Sequence, residues 1–493
     1  MPPPIEQRLT HPLAERFSAS DDGTRYLSSV APTALANPRF VHRNTALLAE
    51  LDIDSDDPTL LDLLAGSKAA PNCCATVYSG HQFGHWAGQL GDGRALLLGE
   101  LRDRSGQRIE LQLKGAGPTP YSRFADGRAV LRSSIREYLC SEAMHGLGIA
   151  TTRALALIDS DTAVQRERTE RGAVVCRSAR SFLRFGHFEH FHYAGNAAAV
   201  AALADYLIAQ HFPSWQELPA EQRHLQLFAH TVTATAHTLA AWQAVGFAHG
   251  VLNTDNMSLL GDTLDYGPFG FLDHYEPGFI CNHSDSGGRY AFDKQPMIGL
   301  WNLNALANAF LSLLPSEALV EQLGSYQAQF EQAYRTRMAA KLGLPAESSA
   351  QQVDALLEPL LKLLAECSAD YTRSFRHLAQ LGGSDAELLA AEIGAAWQQP
   401  EWQQWHNDYL AAVERGPEQA EQRRRAMLAV NPKYILRNYL AEQAIQAAEA
   451  GEYGQVERLF NVLSKPFDAQ PEHNKLAALP PAWAESISVS CSS

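Results

Sequence analysis

The sequence predicts an α+β fold in two lobes: a sheet-rich N-terminal lobe over residues 1–190 and a larger helical C-terminal lobe over 191–480, with a mobile tail over 481–493. Three observations predict it. Runs of β-forming residues crowd the stretch 94–185. Alanine- and leucine-rich amphipathic segments take over from Ala197. One of these, Ala220–Val245, leads directly into the polar loop His249-Gly-Val-Leu-Asn-Thr-Asp255-Asn256, which is followed by Asp265-Tyr-Gly267.

In chain order, residues 1–70 are mixed, with a short helical stretch at 58–65 and Pro-bearing loops before it. The glycine-rich segment 80–93 precedes two β-like runs, Arg94–Leu101 and Arg108–Lys114, and the polar turn Asp103-Arg-Ser-Gly-Gln107 between them predicts a hairpin. After a Gly/Pro-rich breaker at 115–120 and a loop through Asp126-Gly127, the spacing of Ile135, Tyr138, Leu139 and Leu147 predicts a helix over 134–147, ended by Gly148. Further β-like runs lie at Ala154–Ile158, Ala173–Arg177 and Ser181–Phe185. Helices are expected at Ala197–Gln210 and Ala220–Val245, and over most of 293–463.

With 493 residues, 46% of them hydrophobic, the chain can bury a large core. Forty basic against 55 acidic residues, a net charge of -15, argue against nucleic acid or an anionic membrane as the main partner. The N-terminal residues lack the apolar core of a secretory signal and no apolar run is long enough to span a bilayer, so the cytoplasm is the expected location. Seven cysteines, without a C-x-x-C pair or zinc-type spacing, argue against a disulfide framework or a zinc module.

The loop 249–256 with the later Asp265-Tyr-Gly267 has the spacing of a protein-kinase-like catalytic loop and metal-binding Asp-x-Gly, and so predicts a kinase-like bilobal fold. One position differs. Where the loop's base belongs stands Val251, which cannot accept a proton, and a carboxylate appears instead at Asp255. Asn256 and Asp265 offer hard oxygen ligands suited to Mg²⁺ or Mn²⁺ on phosphates; a polar turn and a hairpin cap are the bland alternative.

Gly91, Gly93 and Arg94 precede a strand, where backbone N–H groups can approach a polyphosphate; a permissive hairpin turn explains them equally. Lys114 ends a strand with apolar alternate residues and can reach phosphates from a rigid element. Glu137 is its natural partner, yet Ser134 and Glu137 also form a capping-box pattern, which leaves two readings open. Arg177 and Arg184 bracket an expected hairpin and suit a pyrophosphate, with Arg180 as the alternative. His187, His190 and His192 alternate with aromatic residues as a packed segment does, and His81 and His85 lie in a Gly-rich loop; neither group completes a metal set.

Taken together, Tyr78-Ser-Gly-His-Gln-Phe-Gly84, Gly91-Asp-Gly-Arg94, the block Leu111 to Arg123, Asp126-Gly127, Arg132-Ser-Ser-Ile-Arg-Glu137, the block Gly250 to Met257 and the block Asp265 to Asp273 resemble the selenoprotein O family (SelO, bacterial YdiU) over nearly the whole chain. The resemblance implies a kinase-like enzyme that transfers AMP from ATP, bound in a flipped orientation, to Ser, Thr or Tyr hydroxyls of proteins, with UMP transfer and Mn²⁺ in some bacterial relatives. By motif match it makes Asp255 the base, Asn256 and Asp265 the ligands of Mg²⁺ or Mn²⁺, and Lys114, held by Glu137, a phosphate ligand. It places Gly91, Gly93, Arg94, Asp126, Gly127, Arg177 and Arg184 around the nucleotide. The closing Ser490-Cys491 also resembles that family, whose C-terminal cysteine or selenocysteine implies a redox role, here as an intramolecular Cys281–Cys491 disulfide. The competing readings are an ordinary kinase, weakened by Val251, and a nucleotide-binding pseudokinase scaffold, weakened by Lys114, Asn256 and Asp265.

Overall fold

The structure is a computed structural model and describes residues 4–18, 23–379, 387–413 and 417–490. Among these residues an eight-stranded, wholly antiparallel sheet runs in the order Leu27–Ser29, Cys74–Thr76, Ala95–Arg102, Arg108–Lys114, Thr169–Ala179, Arg153–Gln165, Arg39–Arg43, with Ala129–Val130 pairing on Thr169–Ala179. The expected hairpin at 103–107 is present, locked by the Asp103 carboxylate, which accepts from the backbone N–H groups of Ser105 and Gln107 at 2.8 Å each. The three short strands at 27–29, 39–43 and 74–76 had no counterpart among the sequence expectations, because three to five residues give too little alternation to see.

One expected strand is absent. The chain leaves the sheet after Ala179; residues 181–184 are irregular apart from a bridge between Arg184 and Ser258, and Phe185 already begins a helix. Side chains replace the ladder there: Phe182 N–H donates to the Glu110 carboxylate (2.7 Å), Leu183 N–H to Ser181 Oγ (3.2 Å) and Arg184 N–H to His187 Nδ1 (2.9 Å). The aromatic–histidine segment that follows is a helix, Phe185–Tyr193, and residue 190 falls inside it.

The helix Leu131–Gly146 packs on strands Arg153–Gln165 and Thr169–Ala179. Its opposite side meets the late helices Asn438–Glu449 and Gly454–Leu463, so it is buried almost all the way round. Its polar residues are tolerated because they pair: Glu142 receives Arg153 at 2.8 Å, and Arg136 donates to the Phe269 carbonyl at 2.9 Å.

The remainder is helical. Ala220–Val245 lies against Ser316–Leu342 and ends on Gly246, whose φ of 71° is the left-handed cap that favours glycine. That cap turns the chain into Phe247–Ala248, paired with Gly270–Phe271, and so into the loop that carries Asp255. A second two-stranded ribbon, Ser79–Gln82 with His85–Gln89, reaches across to the same loop. No helix among the described residues is long and apolar enough to cross a membrane.

Candidate active site

The sheet register builds the first half of the site. Gln112 stands opposite Arg177 and Lys114 opposite Val175, so the period-two alternation puts Lys114, Gln112 and Arg177 on one face. The helix Leu131–Gly146 delivers Glu137 to that face. Lys114 Nζ lies 2.6 Å from Glu137 Oε2, and Arg177 Nη1 lies 2.8 Å from Glu137 Oε1. The capping-box reading of Glu137 fails, because the helix begins at Leu131 with no side-chain cap, and Ser134 Oγ has no partner among the described residues.

Asp265 completes the cluster from the other side. Its carboxylate is paired with Arg177 and Arg184 and stands 3.4 Å from Lys114 Nζ. Burial opposes ionisation, yet Arg184, Lys114 and Arg177 together hold this carboxylate well below the usual range. Glu137 is likewise held below its ordinary value against its burial, by Lys114 and Arg177. The backbone at Asp265 has φ 55°, a left-handed conformation that few non-glycine residues adopt. Buried His249 secures the preceding residue, donating from Nε2 to the Leu264 carbonyl at 2.8 Å while its ring stacks on Trp242. In the direct ion pairs three cations face two anions, and the buried Asp92 carboxyl also lies near Arg184 and Arg177. The Nε–H groups of Arg177 and Arg184 find no acceptor among the described residues, so the cluster has spare donors for a polyanion.

Asp255 sits apart from this pairing. Arg184 Nη1 donates to its backbone carbonyl at 2.9 Å, Gln82 Nε2 donates to its Oδ2 at 3.0 Å, and its buried Oδ1 has no partner among the described residues. Burial pushes its carboxyl up to about 6. The 79–89 ribbon presses on it closely: a Cβ on Gly80 would stand 2.9 Å from Asp255 Oδ1, so that position has room only for hydrogen. Sequence reasoning gave no role to Gln82 or to this ribbon. The only signal was the family block 78–84, which no general motif explains.

Of the other sequence-derived candidates, Arg94 is near enough to Lys114 to disfavour its charge, and the rest have the following surroundings. Gly91 (φ 117°) has the Tyr121 ring against its Cα, where a Cβ would come within 2.6 Å of Cγ. Gly93 is crowded by the Tyr121 carbonyl, and Arg94 is exposed one residue before Ala95, which pairs with Lys114. Asp126 binds Arg166 (2.8 and 3.0 Å) and Arg128 N–H (2.9 Å), with Gly127 packed on Gly117. No bond joins Asp126 or Gly127 to the Lys114–Asp265 cluster among the described residues. Arg180, the alternative to Arg177 and Arg184, is spent on Asp262. Cys281 is buried, and burial pushes its thiol up to about 12; Cys491 lies outside the described residues.

The chain matches one family over nearly its whole length. The profile described as protein adenylyltransferase SelO covers residues 12–464. The chain belongs to the SelO family. Among its relatives, the protein nucleotidyltransferase YdiU of Pectobacterium atrosepticum is 48% identical over 474 residues, 95% of this chain and 96% of the relative. Those of Paraburkholderia xenovorans (48% over 493 residues, 96% and 94%) and Myxococcus xanthus (48% over 473 residues, 94% and 95%) are similar at the same level. As a SelO-family member the chain is an enzyme of the nucleotidyltransferase class, with a nucleotide as substrate.

The oxygens here of the kind that suits a hard cation are the Asn256 amide oxygen and the Asp265 carboxylate, the latter already paired with Arg177 and Arg184. The Asn256 amide donates from Nδ2 to the Val251 carbonyl at 2.9 Å, which fixes the side chain and leaves Oδ1 available, and the Asp265 carboxyl is held well below the usual range by its cationic neighbours. Two protein oxygens completed by phosphates are the usual provision for Mg²⁺. Among the described residues no group of three or more His, Cys, Asp and Glu forms an all-protein metal cage.

Proposed function

We propose that this enzyme transfers AMP from ATP to Ser, Thr or Tyr hydroxyls of proteins, within a kinase-like bilobal arrangement of lobes 1–190 and 191–480 and tail 481–493. The observation that carries this reading is the unpartnered, buried Oδ1 of Asp255, beside a cationic cluster with spare donors.

The roles follow from position. Asp255 Oδ1 accepts the proton of the acceptor hydroxyl, whose oxygen attacks the α-phosphorus. The bond to the bridging oxygen breaks, and pyrophosphate leaves with the electron pair. Lys114, oriented by Glu137, and Arg177 and Arg184 hold the departing phosphates; fixed donors aimed at developing charge are worth several kcal/mol in a water-poor site. Asn256 and Asp265 would hold Mg²⁺ or Mn²⁺, which supplies charge neutralisation on the phosphates. Val251, half-buried and apolar, supports nucleotidyl over γ-phosphoryl transfer, because it leaves the kinase position of the base empty of any proton acceptor. The proposed Cys281–Cys491 disulfide is supported by the tail's path: Val489 accepts from the backbone of His283 at 2.8 Å, two residues from Cys281.

The test is incubation with a mixed protein acceptor and either α- or γ-labelled ATP, in Mg²⁺ and in Mn²⁺. Protein label from the α-phosphate alone is expected, and label from γ alone would replace this reading with a kinase. A parallel arm with α-labelled UTP decides the nucleobase, which the relatives' name, protein nucleotidyltransferase, leaves open.

A further inference from the structure

A cleft of about 840 Å³ opens between the C-terminal end of helix Leu131–Gly146, the end of helix Ala220–Val245 and the last turns of helix Ser316–Leu342. It is separate from the site above. Helix positions 137 and 145 lie about 12 Å apart along the axis at 1.5 Å per residue, so Glu137 and the cleft residue His145 sit well over a helical turn apart. The volume is in the range of small-molecule sites.

Its floor holds Lys341, 3% exposed. No carboxylate pairs with this ammonium among the described residues; its neighbours are the rings of Phe375 (4.5 Å) and Tyr371 (5.4 Å). Burial pushes it down to about 7, with no acidic group offsetting the cost. One turn earlier on the same helix face is Arg337, also in the wall and also without an acidic partner among the described residues. His145 and His237 add polar edges, and not one lining residue is acidic, in a chain whose net charge is -15. Leu147, Ile149, Val430 and Phe467 give the wall an apolar stretch, and Gln329, Gln332 and Thr336 add uncharged polar groups.

A core lysine resting on aromatic rings at a helix C-terminus is the bland account, since ring faces and the helix dipole both favour a cation. That account covers Lys341 alone. It leaves unexplained a second cation one turn away, an acid-free wall and an open volume over both. We propose that the cleft is a second ligand site for an amphipathic organic anion, its charged head on Lys341 and Arg337 and its apolar body along Leu147, Ile149, Val430 and Phe467.

The test is direct binding, which needs no turnover and no nucleotide. The probe is anilinonaphthalene sulfonate, followed by fluorescence, with decanoate, 1-naphthoate and decanol as competitors. Saturable binding of one probe per chain is expected, displaced by the carboxylates and not by decanol; whichever carboxylate competes better identifies an acyl or an aromatic body. Lys341→Met should raise the dissociation constant roughly tenfold or more, as loss of a charged hydrogen bond does. Should that variant fail to fold, exposed Arg337→Gln and Val430→Glu carry the test, the latter placing a carboxylate in the wall and abolishing binding. Unchanged affinity in the folded variants, equal competition by decanol, or competitive displacement by ATP would overturn the proposal.

Discussion

Gln82 Nε2 donates to Asp255 Oδ2 at 3.0 Å across 173 residues of chain, so a two-stranded ribbon from the N-terminal part of the molecule orients the candidate base on a C-terminal loop. The bond takes one carboxylate oxygen and leaves the other unpartnered, which aims Asp255 without spending it. Gln82→Ala is therefore expected to lower kcat about tenfold, the worth of one hydrogen bond to a charged group, with KM for ATP nearly unchanged. A selective rise in KM would assign Gln82 to nucleotide binding instead.

Asp255→Ala should reduce transfer on the order of 10²- to 10⁴-fold while ATP still binds, because the proposed general base is lost and the proposed phosphate-binding groups stay in place. Equilibrium binding of ATP measured beside turnover separates the two effects; near-normal turnover would remove Asp255 from the mechanism. Asp265→Ala should lose metal-dependent nucleotide binding as well.

Breaking the buried ion cluster has a second signature. Glu137→Gln leaves Lys114 and Arg177 short of an anion, which for buried pairs costs about 3–5 kcal/mol. Both a lower melting temperature and an activity loss like that of Lys114→Met are expected. Lys114→Met, Arg177→Ala and Arg184→Ala should each weaken ATP more than AMP, since the lost contacts lie beyond the α-phosphate. Equal weakening of both nucleotides would contradict that placement.

Stability should fall with pH through a residue outside the site. Glu110 is buried on a strand, and burial pushes its carboxyl up to about 8 even though Phe182 N–H donates to it. A carboxyl whose folded value lies above its unfolded one binds more protons when folded, so its contribution is fully present below the unfolded value of about 4.5 and is lost as pH rises to about 8. Glu110→Gln should flatten this part of the melting-temperature profile between pH 5 and 9. An unchanged slope would place the pH dependence on other groups.

Cys281 is deeply enclosed, its thiol donating to the Ala248 carbonyl at 3.4 Å and its ionisation suppressed by burial. Oxidative joining to Cys491 is therefore expected to be slow until the 281–283 segment opens. Peptide mapping after mild oxidation should recover the linked peptides, and reductant should alter activity in the wild type but not in Cys491→Ala. Two free thiols with activity indifferent to reductant would dispose of the pairing.

The sequence by itself determined what travels with local pattern. The hairpin around 103–107, the helix Ala220–Val245 and the loop order His249 to Asp265 were legible because turn residues, amphipathic period and motif spacing are short-range properties. The long ordered blocks also carried the family, since each fixes many residues at once. Tertiary structure alone decided between the two readings of Glu137, because a capping box and an ion pair differ only in where the helix starts and what faces it. It alone turned Ser181–Phe185 away from the sheet, through bonds from Glu110 and His187 that no local propensity contains. It also brought Gln82 to Asp255 and left Asp126 with Arg166, since pairings across tens to hundreds of residues depend on how sheet, ribbon and helices pack. Burial, finally, raised Asp255 and lowered Lys341, and desolvation is a property of the assembled interior that residue order does not carry.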